Sequence, residues 1–368
     1  MRFLKVLFLF LGFGISITAC YKEQIIFAAF PNEQLELPLI IDFNGKSCFF
    51  DDRSSSFRYS IGLDSISNFS PFVQFQEHST IIINTIPLAN NAVNNLGTIK
   101  VNEYYPVTIT TQGQTKHFTL SFTKFSTLRI ITRNEIRDNP KLLARLSLNY
   151  STDSVASINS FIEIDHRGSS AQKNPKKSFG FSFLQNMNLG ENESKSIFGW
   201  KKNEDWILDA IYTDQAKFRN KVSFEIWEEM HPAKHNSIQS EFVEVFLNNN
   251  YEGLYSLNEQ MNPEKLDLSG SNAVLYKTTA WSEATYFRSL SPSAPPSYSD
   301  FWDDWEQKYP YAVDQIEWGP LYDLRDWVIN DNDLQFIANA STHIDLENII
   351  DYYLFIQLVG AHDNHGKN

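Results

Sequence analysis

Apolar and polar residues alternate along much of residues 23–125, as they do in strands that are buried on one face only. Val107 and Ile109 fall on one face of such a strand, and Asn44-Gly45 has the composition of a hairpin turn. The pattern predicts strands at residues 25–30, 37–43, 57–61, 79–86, 105–111 and 116–122. We therefore expect a small β-sandwich domain of immunoglobulin-like character over residues 20–126, acting as a spacer.

From residue 128 onward the pattern becomes a mixture of strands and helices. A helix is expected after Asp214, which can cap it, with Phe218, Val222 and Ile226 on one face and its end at Met230. The Ser- and Pro-rich residues 289–299 predict a surface loop. Strands are predicted at residues 128–132, 160–165, 178–184, 204–208, 242–247 and 253–257. The predicted fold class is therefore α+β.

A further helix is predicted over residues 345–360, with Asp345 as its N-cap. Apolar side chains recur behind this cap at helical spacing, at Leu346, Ile349, Ile350, Tyr353, Leu354 and Leu358. We expect the helix to be buried. It would then present the polar loop that follows it, residues 362–368, on a rigid support.

Composition narrows the class of protein. The chain has 368 residues, of which 42% are hydrophobic and 20% charged, as in ordinary globular proteins of two or three domains. Its net charge of −13 argues against nucleic acid as the main partner, because a phosphate backbone needs a basic face. A nucleotide needs only a local cluster of cations and stays possible.

The N-terminus has the form of an export signal. Arg2 and Lys5 precede an apolar run that ends in small residues before Cys20, as in bacterial lipoprotein signals. We predict that residues 1–19 are removed and that a lipid on Cys20 anchors the protein in the cell envelope. A plain signal peptide and a short membrane anchor are the alternatives. Cys48 is expected to be a small buried hydrophobe.

The polar loop places Asp363 and Asn368 five positions apart, as a kinase catalytic loop spaces its base and its metal ligand. Such a spacing is common by chance, so its position after a predicted helix matters. His362 and His365 beside Asp363 leave a transition-metal hydrolase as an alternative. No HExxH or CxxC partner accompanies them.

Several motifs occur in an order that resembles the spore coat protein H (CotH) kinase family. They are IEIDHRGSS (residues 162–170), PKKSFG (175–180), Asp214 with RNK (219–221), EVFLN (244–248), GLY (253–255), EQ (259–260) and HDNHGKN (362–368). The resemblance covers residues 128–368. It implies an atypical protein-kinase-like domain over residues 127–368, which binds ATP with Mg²⁺ or Mn²⁺ and phosphorylates serine or threonine of a protein substrate.

The resemblance also implies roles in the terminal loop. Asp363 would orient and deprotonate the acceptor hydroxyl, Asn368 would bind a metal ion, and Lys367 would add positive charge near the transferred phosphoryl group. A second acidic metal ligand would lie C-terminal to Asn368 and is missing from this sequence. We therefore expect the domain to be incomplete at its C-terminus, and this polypeptide to bind metal-nucleotide poorly and transfer phosphate slowly or not at all.

Two cationic stretches suit phosphate oxygens. Arg167 and Ser169 lie in a turn after a predicted strand, although a surface turn with an Arg–carboxylate pair would look the same. Lys176 and Lys177 begin the next strand and should point to opposite faces. We favour Lys177 for the nucleotide and expect Lys176 to be solvated.

Two further residues complete the predicted site. Glu259 ends a hairpin strand, where it could pair with the nucleotide-facing lysine or simply be exposed. Arg219 could contact the nucleotide directly or pair with Asp214 or Asp209.

A second functional class fits the same sequence. The chain could be a non-catalytic cell-surface binding lipoprotein with a vestigial kinase fold, which recognises protein or glycan. Exposure of Trp302, Trp305 and Trp318 would favour that function, whereas buried tryptophans would be ordinary core residues.

Overall fold

A computed structural model describes residues 41–152, 157–168, 170–263, 265–270, 272–280, 282–291, 298–361 and 364. The chain from Ile41 to Asn368 forms one compact unit. Its strands are β1 (Ile41–Phe43), β2 (Lys46–Ser47), β3 (Phe49–Asp51), β4 (Ser56–Ser60), β5 (Ser65–Ile66), β6 (Phe72–Phe75), β7 (Ser79–Ile83), β8 (Ile86–Pro87), β9 (Ala92–Val93), β10 (Ile99–Lys100), β11 (Tyr104–Thr111), β12 (Gln114–Thr123), β13 (Ser126–Thr132), β14 (Leu142–Asn149), β15 (Ile158–Arg167), β16 (Ser178–Leu184), β17 (Asp205–Asp209), β18 (Ser240–Leu247), β19 (Asn250–Glu259), β20 (Leu275–Thr278), β21 (Phe301–Trp302) and β22 (Trp305–Tyr309). Its helices are α1 (Arg219–Met230), α2 (Gly319–Asn330), α3 (Asp333–His343) and α4 (Leu346–Val359), with a 3₁₀ turn at Ser170–Lys173.

Two main sheets form the first part of the described chain. One has the order β2-β1-β6-β9 and the other β3-β4-β12-β11-β7-β8. Phe43 of the first sheet meets Tyr59 of the second edge to face, with ring centroids 5.2 Å apart. Two sheets that share an aromatic core are what a sandwich requires. The immunoglobulin-like connectivity and the domain boundaries stay predictions.

The next seven strands close into a barrel in the order β13-β14-β15-β16-β17-β19-β18, completed by the parallel pair β13–β18. Alternate side chains point inward, because successive residues of a strand face opposite ways. The buried interior includes Leu128, Ile130, Ala144, Leu146, Leu148, Ile162, Ile164, Phe179, Phe181, Phe183, Trp206, Leu208, Val243, Val245, Tyr255 and Leu257. This packed interior fixes the strands that carry the candidate site.

A second, smaller core lies between the sheet β20-β22-β21 and α2. Trp302 is 1% exposed and Trp318 5% exposed, while Trp305 is partly buried. These tryptophans are therefore core residues and supply no exposed aromatic platform.

Helix α4 begins as predicted, because the Asp345 side chain accepts a hydrogen bond from the Asn348 N–H at 3.1 Å. Gly360 ends it with a φ of +66°. The predicted burial is wrong. The apolar residues that identified the helix are 46% to 71% exposed, and its buried residues are Phe355 and Ile356. Helical spacing reports an apolar face, whereas burial requires a partner to cover it.

Most predicted strands in the described ranges agree with the structure to within about two residues, as expected of element ends. Strand β14 was not predicted. Its residues are buried at most positions, so it lacks the alternation that marks a half-buried strand. Residues 25–30 lie outside the described residues. None of the helices in the described part of the chain combines the length and apolar character needed to cross a membrane.

Candidate functional site

On one side of the barrel, the strands carry polar side chains on their outer face, away from the apolar interior. The register pairs Glu163 with Ser182 and Ser182 with Asp205, so these side chains share a face. This polar face consists of Glu163, Asp165, Arg167, Ser178, Ser182, Asp205, Asp209, Ser240, Ser256 and Asn258. Such a face can hold a polar ligand on a rigid support.

Arg167 lies on this face at the end of β15 and is half-buried. Burial lowers the pKa of its guanidinium, and Asp209, Asp165 and Asp205 oppose that effect. Even so, none of the described carboxylates lies within ion-pair distance of Arg167. A partly desolvated cation in this state is a favourable place for an anion.

Lys277 of β20 adds a second cation near Arg167. Partial burial of its amine, together with the charges of Lys308 and Arg167, lowers the pKa of Lys277. Within the described residues, Lys277 also has no carboxylate at ion-pair distance. The sequence analysis missed this residue, because it lies 110 positions after Arg167 and in no recognised motif.

The turn after β17 is organised by Asp209. One oxygen of this carboxylate accepts from the Ile211 N–H at 2.9 Å and from the Ser178 hydroxyl at 3.3 Å. The other oxygen accepts from the Asn220 amide at 3.3 Å. Ile211 has a φ of +44°, which is a strained conformation for a β-branched residue. The contacts of Asp209 maintain this conformation.

The structure corrects the prediction for Lys176. Its ammonium is not solvated but donates to the carbonyl oxygens of Leu254 at 2.5 Å and Ala210 at 3.1 Å. It also lies 4.0 Å from the centre of the Tyr255 ring. Burial and the charge of Lys217 lower the pKa of Lys176 to about 8. Lys176 therefore fastens the turn after β17 to β19.

Lys177 lies before β16 and is half-buried. Its ammonium donates to the Gln172 carbonyl at 2.6 Å. This contact folds the 3₁₀ turn back toward β16. Lys177 lies near His166, and burial together with the Lys177 charge lowers the pKa of His166. Its role toward a nucleotide stays a prediction.

Neither of the two alternatives for Glu259, pairing with Lys177 or exposure to solvent, is found. Glu259 is fully buried and pairs with Lys265 at 2.6 Å. It also accepts from the Gln239 N–H at 2.9 Å. In the sheet register, Glu259 lies beside Trp206, and Trp206 lies beside Phe181 of β16. Phe181 is three residues along β16 from Ser178, which directly follows Lys177. At about 3.3 Å per residue, Lys177 is out of reach.

Arg219 is the first residue of α1, and its side chain is 71% exposed. Its guanidinium lies 3.5 Å from Asp214, one of the two partners considered for it. Asp214 also accepts from the Arg219 N–H at 2.9 Å and the Ala216 N–H at 2.9 Å. The N-cap position is nevertheless Phe218, which makes no side-chain cap hydrogen bond, so the predicted cap at Asp214 is wrong. A direct nucleotide contact by Arg219 stays a prediction.

A partly buried charge network occupies the other end of the polar face. Lys141 donates to Glu163 at 2.6 Å, and Ser182 donates to Asp205 at 2.5 Å. Although burial opposes it, this contact with Glu163 raises the pKa of Lys141. Strand alternation could have identified Glu163 and Ser182, but their partner Lys141 precedes the unpredicted β14.

The other predicted site residues lie outside the described residues: Cys20, Ser169, Asp363, Lys367 and Asn368, together with His362 and His365. Their neighbour Asn364 is described, and its carbonyl accepts from the Tyr352 hydroxyl at 3.3 Å. Helix α4 therefore contacts the chain at Asn364. The expected function of that loop stays a prediction.

The described residues suit a phosphate-bearing ligand in one respect. Arg167 and Lys277 supply positive charge beside hydroxyl and amide groups of the polar face, and nearby carboxylates offset part of this charge. For a metal ion, no group of three or more His, Cys, Asp and Glu side chains among the described residues has a suitable arrangement. The predicted metal ligand Asn368 lies outside them.

Comparison with known proteins agrees with the motifs. The family model described as CotH kinase protein matches residues 164–368, which include Arg167, Lys177, Glu259 and the whole polar loop. No curated protein matches the chain.

Proposed function

This chain belongs to the CotH kinase protein family, and we propose that it is an ATP-dependent protein kinase that phosphorylates serine or threonine of envelope or surface proteins. The observation that carries the proposal is the half-buried Arg167 on the polar face of the barrel, which has no carboxylate within ion-pair distance among the described residues. A kinase site needs such a cation, because phosphoryl transfer depends on positioning and on charge stabilisation.

In this proposal the polar face binds the phosphate groups. Arg167 and Lys277 contact phosphate oxygens, while Asp209 keeps Ser178 and Asn220 in place beside them. Lys177, Ser169 and Arg219 would provide further contacts to the nucleotide. Bound ATP with Mg²⁺ or Mn²⁺ would supply the phosphoryl group and neutralise its charge.

The terminal loop would carry the proton transfer and the metal contact. Asp363 accepts the proton of the substrate hydroxyl, Asn368 is the metal ligand, and Lys367 lies near the transferred group. A lipid on Cys20 would hold the enzyme at the cell envelope, where its protein substrates lie.

The alternative of a non-catalytic binding lipoprotein has less support. It drew on exposed tryptophans, and Trp302 and Trp318 are 1% and 5% exposed. We therefore favour the kinase.

The test measures ATP affinity and phosphate transfer with the full-length gene product. Loss of one charge-assisted contact in Arg167→Met should weaken ATP binding by about tenfold or more. Arg288→Met is the control, because Arg288 is 75% exposed and lies beside Glu283. Asp363→Ala should abolish phosphate transfer and retain ATP binding. Full transfer by Asp363→Ala, or no ATP binding by the unmodified protein, would reject the proposal.

A further inference from the structure

Two metal-ligating side chains meet where the turn after α1 contacts α4. His235 lies in that turn with its side chain fully buried, and Asp351 belongs to α4. His235 Nε2 lies 3.3 Å from Asp351 Oδ2, but the two atoms are not aligned as a hydrogen bond, and Nε2 has no other partner among the described residues. A buried ring nitrogen without a partner is costly, so this contact needs a physical cause.

The tautomer of His235 is fixed by its other ring nitrogen. Nδ1 lies 2.9 Å from the Trp227 carbonyl oxygen, which can only accept, so Nδ1 carries the proton and donates. The ring also stacks on the Trp227 indole, with centroids 3.7 Å apart. In the neutral ring, Nε2 therefore presents a lone pair toward Asp351. Histidines that bind metal ions are held in this way, with the far nitrogen bound to a carbonyl or carboxylate.

The spacing of Nε2 and Oδ2 suits a shared metal ion. Two lone pairs at 3.3 Å repel each other unless a cation lies between them. A proton on Nε2 would not point at the carboxylate, because the contact is not aligned. A metal ion can lie to one side of the line that joins the two atoms. With bonds of about 2.0–2.1 Å to Zn²⁺, ligand atoms at this separation subtend about 105–110° at the metal, as in a tetrahedral site.

His231 offers a third ligand from the same turn. The His235 N–H donates to the His231 carbonyl at 2.9 Å, so the two residues are one helical turn apart and project from the same side. Their ring centroids are 5.7 Å apart. Histidines at positions i and i+4 form a metal-binding pair in other proteins. No set of three such side chains among the described residues is already arranged for a metal, so the partly exposed His231 ring would have to rotate.

The surroundings are compatible with a divalent cation. Lys234 lies between the two histidines in sequence, but its charge is neutralised by an ion pair with Glu347 of α4. The Asp351 side chain is 29% exposed, which leaves a path from solvent. Two imidazoles and one carboxylate are ligands that Zn²⁺ prefers.

We propose that His231, His235 and Asp351 form a binding site for a divalent transition-metal ion, Zn²⁺ in the first place, which joins the turn after α1 to α4. Water would complete the coordination. The site is independent of the proposed kinase function and of the terminal loop. Most apolar side chains of α4 are exposed, so apolar packing contributes little to its attachment and a bound metal would strengthen it.

The experiment measures Zn²⁺ affinity of the full-length protein by competition with a chromophoric chelator. Co²⁺ replaces Zn²⁺ in a second measurement, because its visible absorption is strong in a tetrahedral site. His235→Phe keeps an aromatic ring and removes both nitrogens, Asp351→Asn keeps the shape and removes the carboxylate, and His231→Ala removes the third ligand. His343→Phe is the matched control, because His343 also stacks on a tryptophan, Trp327, at 4.7 Å but lies at the end of α3.

Zn²⁺ affinity should fall by about a hundredfold or more in His235→Phe, since losing a group that only orients a ligand already costs up to that much. Asp351→Asn and His231→Ala should each weaken Zn²⁺ binding by about tenfold or more and abolish the tetrahedral Co²⁺ absorption. His343→Phe should bind as the unmodified protein does. Zn²⁺ should also slow hydrogen exchange of α4 amides in the unmodified protein and not in His235→Phe.

Unchanged Zn²⁺ affinity in any of the three ligand variants would overturn the proposal, as would an unmodified protein that binds no Zn²⁺ at micromolar concentrations. Zn²⁺ bound instead by His362 and His365 of the terminal loop would survive in His235→Phe and so would also count against it. Asp351→Asn and His231→Ala change partly exposed side chains, so the test still decides if His235→Phe does not fold.

Discussion

Arg58 and Glu244 form an ion pair that joins β4 to β18 across 186 positions of the chain, with Arg58 Nη2 donating to Glu244 Oε1 at 2.8 Å. Their side chains are 21% and 5% exposed. The Tyr251 hydroxyl donates to the same carboxylate oxygen at 3.2 Å. The N-terminal sheets are therefore fastened to the barrel, which a detached spacer would not be.

Breaking this pair should leave a buried charge without its partner. We expect Arg58→Met to lower the free energy of unfolding by about 3 kcal/mol, and the double variant Arg58→Met/Glu244→Gln to recover part of the loss. Urea titration measures both. Lys124→Met, which removes an exposed pair with Asp64, is the control. An equal loss in Arg58→Met and Lys124→Met would contradict a buried linkage.

The amine of Lys176 should make stability depend on pH. Its pKa in the folded protein is about 8, against 10.5 for an ordinary lysine, so folding releases a proton between these values. The unfolded state then binds more protons, and the free energy of unfolding rises with pH from about 8 to about 10.5. Urea midpoints at several pH values should show a smaller rise in Lys176→Met. Parallel curves for the two proteins would count against this pKa.

Gly62 should tolerate no side chain. Its φ is +67°, and a Cβ there would lie 2.5 Å from the Ser151 carbonyl oxygen. Gly113 has a similar φ of +77°, and a Cβ added there would meet no atom within 4 Å. Gly113→Ala therefore measures only the cost of placing a side chain on a backbone with positive φ, about 1–2 kcal/mol. The added steric clash should make Gly62→Ala cost about 3 kcal/mol or more in thermal or urea unfolding. Similar losses in the two variants would show that Ser151 moves away without cost.

Lys277 should contribute to anion binding together with Arg167. Lys277→Met is expected to weaken ATP binding by about tenfold, because one charge-assisted contact is lost. The exposed Lys202 provides the control variant Lys202→Met. Isothermal titration of ATP, and of inorganic triphosphate as a probe without the nucleoside, measures the effect. An unchanged affinity in Lys277→Met would remove this residue from the phosphate contacts.

Local patterns predicted much of the fold. Alternation identified β11 and β12, and helical spacing behind Asp345 identified α4, because backbone geometry ties side-chain direction to sequence spacing. The same reasoning failed for β14, which is buried at most of its positions. Motif order predicted the family that the matching model then supported.

The candidate site was predicted less completely. Arg167 lies on the polar face, and its binding role stays a prediction. Arg219 pairs with Asp214, an alternative that the sequence already offered. Lys176 and Glu259 took other partners, and Lys277 was missed. Ion-pair partners come from strands that are distant in sequence, so residue spacing carries little information about them.

By itself, the sequence determined the α+β character of this protein, the ends of α4 and the membership of the CotH kinase protein family, because periodicity, caps and motif order are local properties. Only the tertiary structure decided that Lys176 fastens a turn, that Lys265 neutralises Glu259 and that the apolar face of α4 is exposed. These outcomes depend on closing the barrel, which sets the register among distant strands and thereby selects the partner of each charge.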